Sequence, residues 1–91
     1  MEFEWDAAKD AVNERKHGVG FMEAMTCFWD PHQVAFYDPD HSDEEDREIV
    51  IAHSAQARLL MVVYTLRGER IRIISARPAT RKEARDYARG V

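Results

Sequence analysis

Ninety-one residues, 45% apolar and 33% charged with a net charge of −4, make a chain too hydrophobic to stay disordered and sized for one domain, residues 1–91. The single cysteine, Cys27, excludes an internal disulfide and fits a reducing, cytoplasmic compartment. No apolar run approaches the length of a membrane span, and the acidic start MEFEWD lacks the pattern of an export signal, so neither a membrane nor secretion is expected.

In chain order, Phe3-Glu4-Trp5 alternates as a short strand, and Asp6 then stands as the N-cap of a helix over 6–17 that Gly18 closes. Phe21, Ala24, Met25 and Phe28 fall at i, i+3, i+4 and i+7, which predicts a second helix over 20–29, stopped by Asp30-Pro31. QVAFY reads as a strand, and residues 38–48, with seven acids, as an exposed loop. EIVIAHS, RLLMVVYTLR and ERIRIISAR follow as strands, the last two joined by a tight turn at Arg67-Gly68-Glu69. Beyond Pro78, Thr80 and Glu83 form a capping box that opens a last helix, TRKEARDYAR. The order β-α-α-β-β-β-β-α predicts an α+β domain with an antiparallel sheet and helices on one face.

Charge is polarised along this order. Residues 1–57 carry 14 acids and 4 bases, a sum of −10; residues 58–91 carry 3 acids and 9 bases, a sum of +6. Alternation in ERIRIISAR puts Ile71 and Ile73 on one face and Arg70, Arg72 and Ile74 on the other, with Arg77 at the strand's end. Arg81, Arg85 and Arg89, spaced i, i+4 and i+8, line one stripe of the last helix. Guanidinium forks hold phosphate in two-point contact, so this basic face suits RNA.

Other residues fit the same chemistry by type. His17, beside Lys16, suits proton transfer by residue type. Glu45 is a candidate base, Arg47 a phosphate clamp and Tyr87 a hydrogen-bond donor to phosphate. No metal is expected: Asp38, Asp40 and Ser42 open like a calcium loop, but Asp43 occupies the place of its glycine and Ile49 that of its glutamate. The four histidines are too scattered for a zinc site, and no cofactor motif is present. Composition and spacing reach a small α+β domain with one basic face, and stop there.

Two long patterns reach further. Phe3, Trp5, Asp6, Lys9, Asn13, Lys16, His17, Gly18, Val19, Phe21 and Ala24 match the N-terminal pattern of the BrnT family, the toxins of bacterial type II toxin-antitoxin pairs. Arg72 to Arg77, Ala79, Glu83 and Tyr87 match its C-terminal pattern, with Glu45 and Arg47 standing as its E-x-R motif. The resemblance implies a compact RelE-like fold and a ribonuclease that cleaves RNA and arrests translation. It also implies a cognate BrnA-like antitoxin with a ribbon-helix-helix part, through which alone operator DNA is contacted. On that reading Arg72, Arg77 and Arg47 offset phosphate charge, Lys16, His17 or Glu45 handle protons without metal, and Arg81, Arg85 and Tyr87 bind RNA. His53 departs from the glycine that family members often have in the middle strand. A rival from another class is a non-catalytic module whose basic face binds RNA or an acidic partner; a repressor acting alone is weaker, since no DNA-reading helix is legible.

Overall fold

The computed structural model describes residues 1–38 and 46–90. It contains β1 (Glu2–Glu4), α1 (Ala7–His17), α2 (Phe21–Thr26), a 3-10 turn (Cys27–Trp29), β2 (Val34–Tyr37), β3 (Arg47–His53), β4 (Leu59–Arg67), β5 (Arg70–Pro78) and α3 (Arg81–Arg89). Most of the expected acidic loop, and Glu45 with it, lies outside the described residues.

Local chemistry fixes the helices. The Asp6 carboxylate accepts from the N–H groups of Ala8 (2.8 Å) and Lys9 (3.2 Å), and Gly18 closes α1 at φ 71°. The expected helix over 20–29 is divided: α2 stops at Thr26 and a 3-10 turn carries the chain to Trp29. Such tightening is common at helix ends. The apolar stripe survives it, with Phe21, Ala24 and Cys27 fully buried and Met25 and Phe28 packed against them. In α3 the Thr80–Glu83 capping box forms with both of its hydrogen bonds.

The five strands run in the order β1-β5-β4-β3-β2. Three pairings are antiparallel, but β1 lies parallel to β5, so the sheet is mixed rather than wholly antiparallel. Nothing local imposes an antiparallel register on β1: it joins through a distant strand, not a hairpin. The expectation of helices on one face is also corrected. α1, α2 and the 3-10 turn serve the face bearing Val50, Leu60, Val62, Ile71 and Ile73. α3 covers the opposite face, where Tyr87 and Ala79 pack against Ile51, Met61 and Val63. The run LLMVVY is apolar on both sides of its strand and therefore needs cover on both.

An irregularity decides where the arginines of β5 point. Tyr64 pairs with Ile73 but Val63 pairs with Ser75, so Ile74 is an extra residue, a β-bulge. Strict alternation from Ile71 and Ile73 would send Arg77 to the same side as those core isoleucines. The bulge resets the phase: Ala76 joins Ile71 and Ile73 in the first core, and Arg77, opposite Met61, joins Arg72 on the second face.

Side chains complete the sheet where its short edge strands end. β1 pairs only with residues 70–72, and beyond it the buried Asn13 of α1 takes over the edge of β5. Its amide donates to the Ala76 and Val19 carbonyls at 2.8 Å and accepts from the Ala76 N–H at 3.2 Å. At the other edge, the Asp30 carboxylate accepts from the His53 N–H and the Thr26 hydroxyl from the Ala55 N–H, both at 2.8 Å. Unpaired strand edges invite pairing with other chains, and these contacts close them. The buried Glu23 carboxylate accepts from Ser54 Oγ (2.7 Å) and from Arg58 Nε (3.0 Å), while Arg58 Nη2 also donates to the Gly18 carbonyl. The α1–α2 junction is thereby tied to the β3–β4 turn.

A candidate active-site cleft

α1 lies along the edge of β5, and its turns bring Lys9, Lys16 and His17 over Ile74 and Ser75. The cleft between them measures about 490 Å³. Lys9 and Lys16 are seven residues apart and so share one side of the helix. Both are exposed, and His17 is half-buried. The floor residues Ile74 and Ser75 lie between Arg72 and Arg77 along the strand.

Both of these arginines are held by carboxylates. Arg72 Nη1 donates to Glu4 Oε2 at 2.7 Å, across the parallel β1–β5 pair, and Arg70 lies 3.5 Å from the other Glu4 oxygen. The hydrogen bond from Arg72 is the main reason the Glu4 carboxyl sits below its ordinary pKa. Arg77 makes a two-point fork with Glu83, 2.9 Å on each arm. The same Glu83 accepts from the Thr80 N–H, so the capping box of α3 also orients Arg77. Burial pushes the Glu83 carboxyl up, but the Arg77 fork and the Thr80 N–H outweigh it and hold it below its ordinary value.

Arg47 shares the face. In register across the sheet, Arg47 stands opposite Thr65, Thr65 opposite Arg72, and Arg72 opposite Glu4. Arg47 is thus two strand spacings, roughly 10 Å, from Arg72. The basic stripe is elsewhere: Arg81, Arg85 and Arg89 are exposed on α3 and make no ion pair among the described residues, whereas Lys82 pairs with Asp86 at 3.2 Å. Tyr87 faces the sheet. Its hydroxyl donates to Asp30 Oδ2 at 2.7 Å and lies 3.1 Å from His53 Nδ1, with the two rings edge to face at 5.0 Å. His53, the departure from the family pattern, therefore helps seat α3.

The fold thus gathers Lys16 and His17 at one cleft, with Lys9 and Asp6 in its lining, and sets Arg72, Arg77 and Arg47 outside that lining, together on the second face of the sheet. It sets Arg81 and Arg85 on an outer helix surface and engages Tyr87 in a structural contact. Sequence reasoning did not single out Lys9, although its spacing from Lys16 is a legible signal. Nor did it find Glu4 and Glu83 as partners of the arginines, which required knowing the register of β1 and the path of α3. Cys27 offers no nucleophile: burial pushes its thiol up to about 12. Among the described residues no group of three His, Cys, Asp or Glu side chains is placed to hold a metal, and no helix is long and apolar enough to cross a membrane.

Fold and cleft together define a small mixed-sheet α+β domain with a cationic groove suited to a phosphodiester. Comparison with known proteins narrows the class. The chain matches the family model described as the ribonuclease toxin BrnT of type II toxin-antitoxin systems over residues 5–83, and it belongs to that family. Among solved structures it is similar to the ribonuclease toxin BrnT of Brucella abortus, with 25% identity and a TM-score of 0.65 over 89% of this chain and 99% of that one. A search of curated proteins found no match.

Proposed function

We propose that the protein is an endoribonuclease that cleaves RNA without a metal ion, arresting translation and growth in the bacterial cytoplasm until a cognate antitoxin neutralises it. The antitoxin carries a ribbon-helix-helix part and is the partner that contacts operator DNA. The observation that carries this reading is the bulge at Ile74, which turns Arg77 onto the sheet face of Arg72, in a chain of the ribonuclease-toxin family.

In this reaction the 2′-hydroxyl loses a proton and attacks the adjacent phosphorus; the bond from phosphorus to the 5′-oxygen breaks, and that oxygen takes up a proton. Arg72 and Arg77 offset the charge that grows on the phosphorane oxygens, with Arg47 as a third cation. Lys16, His17 or Glu45 moves the protons. Arg81 and Arg85 steer the backbone toward the cleft by long-range attraction. Glu4 and Glu83 hold the two guanidinium groups in place, and each pair exchanges part of its contact for phosphate as RNA arrives.

Purified protein incubated with total RNA in EDTA tests the proposal. Cleavage is expected for the wild type, with a loss of ~10²-fold or more in Arg77→Ala. Intact RNA with both proteins replaces the nuclease by a binding module. Cleavage abolished by EDTA and restored by a divalent cation overturns metal independence.

A further inference from the structure

β4 interposes Thr65 between arginines of its two neighbouring strands. Arg47 pairs with Thr65 across β3 and β4, and Thr65 with Arg72 across β4 and β5, so the three side chains stand in one row on the second face of the sheet. Along β4 the same face carries Met61 and Val63, both in the apolar cluster beneath α3. Thr65 continues that line and is only 3% exposed, with Arg47 and Arg72 half-buried on either side. A valine would fill the same space, and a buried hydroxyl costs free energy unless it finds a partner. The partner here is a backbone atom: Thr65 Oγ1 donates to the Asp46 carbonyl at 2.7 Å.

That carbonyl belongs to the peptide unit that also carries the N–H of Arg47, the first residue of β3. Strand ends are where local opening costs least, so a side chain on the first residue of a strand is held only as well as its backbone. The start of β3 is held from two directions. On the β2 side the Asp38 N–H donates to the Arg47 carbonyl at 2.9 Å, and the Tyr37 hydroxyl to the Asp46 carboxylate at 2.6 Å. On the β4 side the Thr65 hydroxyl adds its bond to the same stretch of backbone. Slippage or fraying there would take Arg47 out of the row of Arg72. Glu4 and Glu83 act on the guanidinium groups of Arg72 and Arg77, whereas Thr65 acts on the backbone from which Arg47 springs.

We propose that Thr65 is a positioning residue for phosphate binding: its hydroxyl fixes the first peptide of β3 so that Arg47 reaches the same phosphate as Arg72. Being buried between the two arginines, Thr65 does not itself touch RNA. The proposal rests on the reading of the arginine face as the place where RNA is held, and goes beyond it by naming the residue that sets the separation of two of its cations.

The test compares Thr65→Val, which keeps the volume and removes the hydroxyl, with Thr65→Ser, which keeps the hydroxyl, and places Thr65→Val in an Arg47→Ala background as well. For each protein, cleavage of a single-stranded oligoribonucleotide in EDTA is measured beside binding of its uncleavable 2′-O-methyl analogue. Thr65→Val is expected to lower kcat/KM about 10-fold and to weaken binding of the analogue several-fold, while Thr65→Ser stays within about twofold of wild type. In the Arg47→Ala background Thr65→Val should change neither quantity further, because the group it positions is gone; a merely structural threonine would lower both there too. Wild-type behaviour of Thr65→Val, a loss that persists in full without the Arg47 side chain, or Thr65→Ser as impaired as Thr65→Val each overturns the proposal. Should Thr65→Val not fold, Thr65→Ala takes its place in the same comparison. Wild-type protein that binds the analogue but leaves the oligoribonucleotide intact overturns the nuclease reading, and the affinities alone then decide the role of Thr65. Wild-type protein that neither cuts nor binds overturns both.

Discussion

The two faces of the sheet are built on different terms. The first face is closed by α1, α2 and the 3-10 turn over side chains that water does not reach, among them Phe21, Val50, Leu60 and Val62. The second is covered by α3, a helix with no buried residue, resting on the smaller cluster of Ile51, Met61 and Val63 and held by two polar clasps, Arg77–Glu83 and Tyr87–Asp30. Arg47, Arg72 and Arg77 stand on this less protected face, while Lys9 and Lys16 belong to α1. Stability is concentrated where the surface is dry, and the arginines stand where charge can still meet solvent.

The largest effect that would sharpen this contrast is Leu60→Ala on the first face. Removing a fully buried leucine is expected to cost about 3 kcal/mol or more in global stability, read from urea unfolding. A loss below about 1 kcal/mol would mean that the first face is not the main store of stability.

Acid should act next, through the Glu23–Arg58–Ser54 contact that ties the α1–α2 junction to the sheet. The hydrogen bonds from Arg58 hold the Glu23 carboxyl below its ordinary value of 4.5, against the opposing effect of burial. A carboxyl lowered in the folded state stabilises the fold fully above its unfolded pKa and loses that contribution as pH falls through its folded pKa. Stability should therefore be level from pH 7 down to about 5 and decline below about 4.5. Glu23→Gln is expected to start lower at pH 7 and to decline less steeply in acid. An unchanged slope would remove Glu23 from this role.

The smallest effect belongs to the second face. Tyr87→Phe deletes the hydroxyl that donates to Asp30, while Asp30 keeps the N–H of His53. The expected cost is about 1 kcal/mol, confined to α3. Amide exchange should speed up in residues 81–89 and remain unchanged in β3 and β4. Equal acceleration throughout would show that α3 does not open on its own and would break the contrast between the faces.

Much of this was legible beforehand because the signals were local. The Asp6 cap, Gly18, the Thr80–Glu83 box and the turn at Gly68 each involve residues within a few positions of one another, and each formed as read. The alternation that buries Ile71 and Ile73 while exposing Arg70 also held. Lys16 and His17, placed by the end of α1, arrived at a cleft whose opposite wall the sequence did not identify. The face occupied by α3 was misread, although the doubly apolar run LLMVVY contained the hint.

The sequence by itself determined the caps of α1 and α3 and the polarised charge, since these depend on neighbours along the chain. Only the tertiary structure decided the parallel seat of β1, the bulge at Ile74 and the pairing of Arg72 with Glu4 and of Arg77 with Glu83. Each arises where segments far apart in sequence meet, and there one residue of register determines which face a side chain occupies.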